Sequence, residues 1–309
     1  MDDILVIQIP PSLDGERVDR AITTLIDVTR SEASELVNSG QVSVDGQIVL
    51  KPSFRLKHDQ VLEFPDHSQK DEIPIEPDSS VVFDVVYEDS DLLVIDKPPG
   101  LVVHPGSGNL SGTLVSGLIS RYPEIEHVGE VSRPGIVHRL DKGTSGLMIV
   151  ARSGLAYEKL SLAIAKRSVE RRYLALVEGK VSGELGRIEG PIGRSLKDPT
   201  KMAVVMMGKE AATNYEVKNR LSDPFVASYL DVKLETGRTH QIRVHFSSIG
   251  NPVVGDLRYG QSLAKFSIAL ERPFLHAYSL ALNHPISSDP LEFRSNIPTD
   301  LQEVLDLFS

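Results

Sequence analysis

One stretch decides how this chain can fold. Residues 66–80, DHSQKDEIPIEPDSS, carry two prolines, many charges and little apolar content. Such a segment has nothing to bury, and its prolines interrupt helices and strands alike. It predicts a linker between a small unit, residues 1–70, and a large one, residues 81–309. With 309 residues, 40% apolar and 25% charged, each unit can bury its own core. The same composition excludes disordered and collagen-like classes. The sequence shows no internal repeat of solenoid or propeller period.

The small unit reads as helix, helix, hairpin, strand. Val18, Ile22, Leu25 and Ile26 recur at helical spacing. Thr29 and Glu32 are spaced as a capping box that opens a second helix, and Gly40 stops it. Val42-Ser43-Val44 then alternates into Asp45-Gly46, a favoured two-residue hairpin turn, and Ile48-Val49 returns. Val61-Leu62-Glu63-Phe64 is a further strand.

In the large unit, strands are expected at 81–87, 92–96, 147–151, 171–177, 202–207, 212–218, 226–235 and 276–282. Helices are expected at 113–121, 153–167, 239–249 and 299–308. Ser153 and Thr239 are expected to cap the second and third of these, and Gly250 to stop the third. Thr299 and Gln302 are spaced as a capping box after Pro298. Strands outnumber helices and do not alternate with them strictly. The expected fold class is therefore α+β, with a mixed, mostly antiparallel central sheet and flanking helices.

The formal charge of −10 argues against a nucleic-acid footprint over the whole surface. The charge is uneven, however. Residues 1–80 hold 16 Asp/Glu against 7 Lys/Arg, whereas residues 133–180 hold 10 Lys/Arg against 4 Asp/Glu. A locally basic segment is what phosphate binding needs, although solvated helix faces also account for such charges. The chain has 0 Cys, which excludes disulfides, thiol catalysis and thiolate metal sites and fits a reducing, cytoplasmic setting. The opening MDDILVIQIPPSLDGE is acidic, and its apolar run Ile4–Ile9 is too short for a targeting segment. No run approaches the about 18 apolar residues that span a membrane, so no membrane partner is expected. No unexplained apolar stripe is visible, and a monomer is expected.

Three segments carry chemistry. In Gly135–Gly146, His138, Arg139, Asp141 and Lys142 crowd between glycines before a strand begins. Asp141 is the natural nucleophile or base, and its cationic neighbours favour the ionised form. Taken alone, the same aspartate could simply fix a turn. In Glu235–His245, Thr239 can start a helix whose N–H groups, with Arg238, face an anion. His240 and Arg243 lie three apart on one face, and an arginine facing a core needs a buried acid partner. An exposed, salt-bridged helix is the alternative. In Glu170–Val177, alternation puts Tyr173, Ala175 and Val177 on one face, where a tyrosine ring can stack on a base or simply pack.

Other motif readings fail. His138-Arg139-Leu140-Asp141 has one residue too many for a kinase loop, and no Asp-Phe-Gly accompanies it. His240 and His245 are five apart, not the four of a helical zinc pair. There is no phosphate-loop lysine motif and no Gly-x-Ser-x-Gly elbow. Lys97-Pro98-Pro99-Gly100 and His104-Pro105-Gly106 indicate an ordered, turn-rich loop.

Residues 15–65 resemble the RNA-binding domain first named for small-subunit ribosomal protein S4. The likeness runs from Arg17-x-Asp19 through Arg30-Ser31 and Gly40–Gly46 to the last strand. Leu92–Gly106, Gly135–Ala151, Arg171-Arg172-Tyr173, Gly237–His245 and Pro252–Gly260 resemble, in order, the motifs of the RluA family of pseudouridine synthases. The nearest type is the bacterial one that modifies large-subunit ribosomal RNA and carries an N-terminal RNA-binding domain. The resemblance implies that Asp141 is the catalytic aspartate, Tyr173 packs on the target base, and Arg243 pairs with the aspartate. It implies that Arg139 enters the RNA where the uridine leaves the stack, with His138, Arg238 and His240 also contacting RNA. It implies no cofactor and no metal. The partner would be large-subunit ribosomal RNA or an assembling ribosomal particle. Asp141 could attack the sugar, attack the base or remove a sugar proton; the residues leave all three routes open. A catalytically silent RNA-binding assembly factor and a nucleoside hydrolase are the competing expectations.

Overall fold

In a computed structural model of the chain, the described residues are 4–308 apart from 27, 29, 66–74, 107, 108, 110, 196, 197, 199 and 261–269. The expected cap residue Thr29 and most of the expected linker, 66–80, lie outside them. The chain forms two compact units, Met1–Ile73 and Pro74–Ser309.

The small unit contains β1 (Ile4–Gln8), α1 (Val18–Leu25), α2 (Arg30–Asn38), β2 (Ser43–Val44), β3 (Gln47–Ile48) and β4 (Val61–Pro65). Its antiparallel sheet has the order β1-β4-β2-β3. Val18, Ile22, Val37, Leu56, Leu62 and Phe64 form its core. The Asp45-Gly46 turn has φ of 52° and 74°, the two left-handed positions a type I′ hairpin requires. Buried Asp19 accepts both Arg17 Nε (3.0 Å) and Arg17 Nη2 (2.8 Å), and also Arg30 Nε (3.2 Å), which ties together three residues of the amino-terminal motif.

The large unit contains β5 (Asp84–Glu88), β6 (Leu92–Lys97), α3 (Leu114–Arg121), β7 (Ser145–Ala151), α4 (Gly154–Ala165), β8 (Glu170–Glu178), β9 (Leu185–Glu189), β10 (Ile192–Arg194), β11 (Met202–Val204), β12 (Ala212–Leu221), β13 (Ala227–Leu234), α5 (Gln241–Ser248), β14 (Leu275–Asn283), β15 (Pro290–Arg294) and α6 (Thr299–Asp306). Nine strands form one sheet in the order β5-β6-β7-β14-β8-β13-β12-β9, with β15 paired to β14. Only β7 and β14 run parallel; the other pairs are antiparallel. The fold is thus α+β, with the mixed, mostly antiparallel sheet expected from the sequence.

The sheet is covered on both faces, which is why Leu92–Ile95 and Leu147–Ala151 read as continuous apolar runs. Leu93, Ile95, Met148 and Val150 join the core beneath α3, α5 and α6. Leu92, Val94, Leu147 and Ile149 face the opposite way, toward Ala156 and Leu160 of α4.

Several local expectations are corrected. The strand expected at 202–207 is only β11, paired with β10 in a separate ribbon. Strands β1, β9 and β15 are half-exposed edges whose alternation is too weak to read from sequence. Thr239 does not cap α5. His240 occupies that position at φ 56°, and the carboxamide of Gln241 reaches back to Arg238 N instead (3.0 Å). No capping box forms at α6, because Gln302 Nε2 donates forward to Asp306 Oδ1 (2.7 Å). Ser153 does cap α4, accepting from Ala156 N at 3.2 Å. Among the described residues, no helix is long and apolar enough to cross a membrane.

Candidate active site

The loop that ends in β7 is clamped from three sides. At the parallel junction Gly146 has φ 114°, and a Cβ there would stand 2.3 Å from Ala277 O, so only glycine fits between β7 and β14. On the second side Lys97 is fully buried. Its Nζ donates to Pro98 O (2.8 Å), Leu101 O (2.9 Å) and Lys142 O (3.4 Å), and Gly100 N donates to Lys142 O (2.7 Å). Desolvation pushes the Lys97 ammonium down to about 7, while nearby Asp141 opposes the fall. On the third side Arg272 Nη1 donates to Gly143 O (3.3 Å) and Ser145 Oγ (3.2 Å), while Asp300 holds its guanidinium at 2.5 and 2.7 Å. Asp141 sits inside these tethers, its carbonyl accepting from Thr144 N at 3.0 Å.

Helix α5 brings the complementary charge. Arg243 is buried and donates Nη1 to Asp141 Oδ2 at 2.9 Å, across 102 residues of chain. Its Nε and Nη2 bind Asp256 Oδ2 (2.7 Å) and Oδ1 (3.0 Å). Asp256 also accepts from Arg258 N (3.0 Å) and Tyr259 N (3.2 Å). The Tyr259 ring lies 5.0 Å from the guanidinium, and its hydroxyl is 2.7 Å from His240 Nδ1. Gln241 and His245 serve the scaffold. Gln241 bonds Ala212 O and Thr213 Oγ1, both at 3.0 Å, and His245 bridges Thr213 Oγ1 (2.9 Å) and Gly190 O (3.0 Å).

A cleft of about 360 Å³ opens over this pair, large enough for a nucleoside. Asp141, Tyr173, Arg243, His138, Arg139, Arg238 and His240 all line it. Tyr173 is 4% exposed; burial raises its phenol above the ordinary value, with Arg171 opposing and Asp141 adding to the rise. His138 Nε2 accepts from Ile149 N at 2.9 Å, so Nδ1 carries the ring hydrogen. Burial and then Arg171 push this imidazole down to about 3. Arg139 is exposed at the rim, 3.3 Å from His104 Nε2. Arg238 Nε donates to Glu210 O at 3.1 Å. Burial also lowers His240.

The lining contains six arginines against Asp141 and Glu235, so the cleft is cationic although the chain carries −10. Sequence reasoning missed Lys97, Arg171, Asp256 and Tyr259. The requirement for a buried acid beside Arg243 and the Gly255-Asp256 pattern were both visible, but not their connection.

Comparison with known proteins agrees with this architecture. The family model described as RNA pseudouridylate synthase matches residues 91–248, and the S4 domain model matches residues 15–62. The chain is 39% identical over 294 residues to the uncharacterized RNA pseudouridine synthase YlyB of Bacillus subtilis, covering 94% of each. It is 40% identical over 304 residues to the ribosomal large subunit pseudouridine synthase D of Zymomonas mobilis, covering 93% of this chain and 92% of that one. Among solved structures, human RNA pseudouridylate synthase domain containing 1 superposes with a TM-score of 0.56 at 30% identity, covering 72% of this chain and 86% of that one. The chain belongs to the RNA pseudouridylate synthase family and carries an S4 domain at its N-terminal end.

Proposed function

We propose that this protein isomerises uridine to pseudouridine in large-subunit ribosomal RNA, with Asp141 as the reacting carboxylate. The observation that carries the reading is the Asp141–Arg243 contact of 2.9 Å on a cleft also lined by Tyr173. Among the described residues, Asp141 Oδ1 has no hydrogen-bonding partner, which leaves it for substrate. Relatives named for the large ribosomal subunit and the S4 domain support the choice of RNA.

The reaction exchanges one bond for another. The bond from ribose C1′ to N1 of the base breaks, the base turns, and C1′ bonds to C5. C5 loses a proton and N1 gains one, so product and substrate are isomers. Arg243 holds the Asp141 carboxylate in place through a charge-assisted hydrogen bond of 2.9 Å. Tyr173 supplies a ring against which the freed base is held while it turns. The target base must first leave its stack, at about a few kcal/mol. Arg139, exposed at the rim, fills the space it vacates. Arg238, His240 and His138 contact the RNA around it.

Mapping pseudouridines in ribosomal RNA from cells with and without the protein tests this reading. Loss of defined large-subunit sites on deletion is expected; an unchanged map contradicts it.

A further inference from the structure

Arg171 is the odd arginine of this molecule. It is 5% exposed, and its Nε is buried without a partner. Among the described residues its side chain makes no hydrogen bond and no ion pair. The other buried arginines are neutralised: Arg243 by Asp256 and Asp141, Arg272 by Asp300. A buried guanidinium without a counter-charge is costly, and such a group persists where an anion or acceptor joins it in use.

Its position says which part of the substrate that is. Arg171 and Tyr173 are two apart on β8, so both side chains project from the same face of the sheet, and both line the cleft with Asp141. Gly237 leaves room for the group, since a Cβ there would stand 3.1 Å from Arg171 Nη1. The neighbouring His138 ring is neutral and the Tyr173 phenol is un-ionised, so neither supplies a negative charge. Arg171 therefore lies on the wall where the base is held, deeper than the exposed Arg139 and Arg238 that suit phosphates.

We infer that Arg171 receives the negative charge that develops on the uracil ring during isomerisation. The inference rests on the function proposed above and holds for each route open to Asp141. If the carboxylate attacks C1′ or removes the C2′ proton, the electron pair of the C1′–N1 bond departs with N1. If it attacks C6, the pair moves onto C5 and O4. The charge disappears when C5 gives its electron pair to C1′, its proton leaves and N1 is protonated, while Asp141 is freed by leaving C1′, returning its proton to C2′ or leaving C6 on the respective routes. A fixed guanidinium beside the ring lowers the barrier because it is already oriented and desolvated.

The test uses the full chain and a large-subunit ribosomal RNA transcript, with wild type, Arg171→Gln and Arg171→Lys compared in single turnover. Arg171→Gln is expected to slow isomerisation about 100-fold, the effect of removing one donor to a developing charge. RNA affinity and its salt dependence should hold, and Arg171→Lys should restore part of the rate. Thermal stability of Arg171→Gln should be unchanged or higher, which a structural role would not allow. On RNA carrying 5-fluorouridine at the target, a ring that bears negative charge more readily, the loss in C1′–N1 cleavage should be smaller. Full activity of Arg171→Gln would overturn the inference. So would an equal loss on both RNAs, or weaker binding with a salt slope reduced by about one, the mark of a phosphate contact. A wild type that forms no pseudouridine would bring down the proposed function and this inference with it; an active wild type beside an indifferent Arg171→Gln brings down this inference alone.

Discussion

Arg243 binds Asp256 through two guanidinium nitrogens, at 2.7 and 3.0 Å, and offers Asp141 a third at 2.9 Å. Asp256 is 1% exposed and fixed by two backbone N–H groups, so it sets the plane in which Arg243 meets Asp141. Asp256→Asn should slow isomerisation about 100-fold through misplacement of Arg243, with RNA affinity retained. It should also destabilise the fold by about 3–5 kcal/mol, the cost of removing one partner from a buried ion pair. Single-turnover rates and denaturant unfolding check both; a wild-type rate would show that Arg243 orients without it.

Arg243→Lys keeps the charge but not the fork. A single ammonium cannot bond Asp256 in two places and still reach Asp141. The rate should fall by about 100-fold or more while RNA binding persists. Filter binding beside product quantification separates the two; near-normal turnover would mean that charge alone suffices.

Gly146→Ala tests the junction that aims the Asp141 loop. The added Cβ meets Ala277 O at 2.3 Å, and φ 114° is strained for any side chain. Backbone strain alone costs about 1–3 kcal/mol, and the clash adds to it. A lowered melting temperature together with lost turnover is expected, and an unchanged melt would contradict the tight β7–β14 approach.

His138 makes the fold acid-sensitive. Its folded pKa is about 3 against an ordinary 6.5. Between those values the unfolded chain holds a proton that the folded chain does not, so stability falls as pH drops from 6.5 toward 3. The slope contributed by this one group is at most about 1.4 kcal/mol per pH unit. His138→Gln, which keeps an acceptor for Ile149 N, should flatten that part of the curve. Unfolding midpoints between pH 7 and 4 measure it; identical slopes in both proteins would remove His138 from the account.

The central strands were legible because burial on both faces leaves an unmistakable trace: Leu92–Ile95 and Leu147–Ala151 are apolar at nearly every position. Edge strands β9 and β15 left none, since half their side chains face water. At the site, crowding of charge between glycines drew attention to Asp141, and the need of a core-facing arginine for an acid drew attention to Arg243. The resemblance pointed to Asp141 as its partner, but the second acid was not readable, because Asp256 is one of 43 acidic residues and only the turn after α5 carries it back to the helix. Thr239 illustrates the reverse error. It has the chemistry of a cap, but Gln241, the first residue of α5, accepts from Arg238 N instead. Arg171 was hidden in plain alternation, two residues before Tyr173 on the same face.

The most direct test compares purified wild type with Asp141→Asn on a large-subunit ribosomal RNA transcript, measuring pseudouridine formed and RNA bound in the same samples. The account predicts unchanged binding and no product from the variant. Pseudouridine formed by Asp141→Asn at the wild-type rate would contradict it.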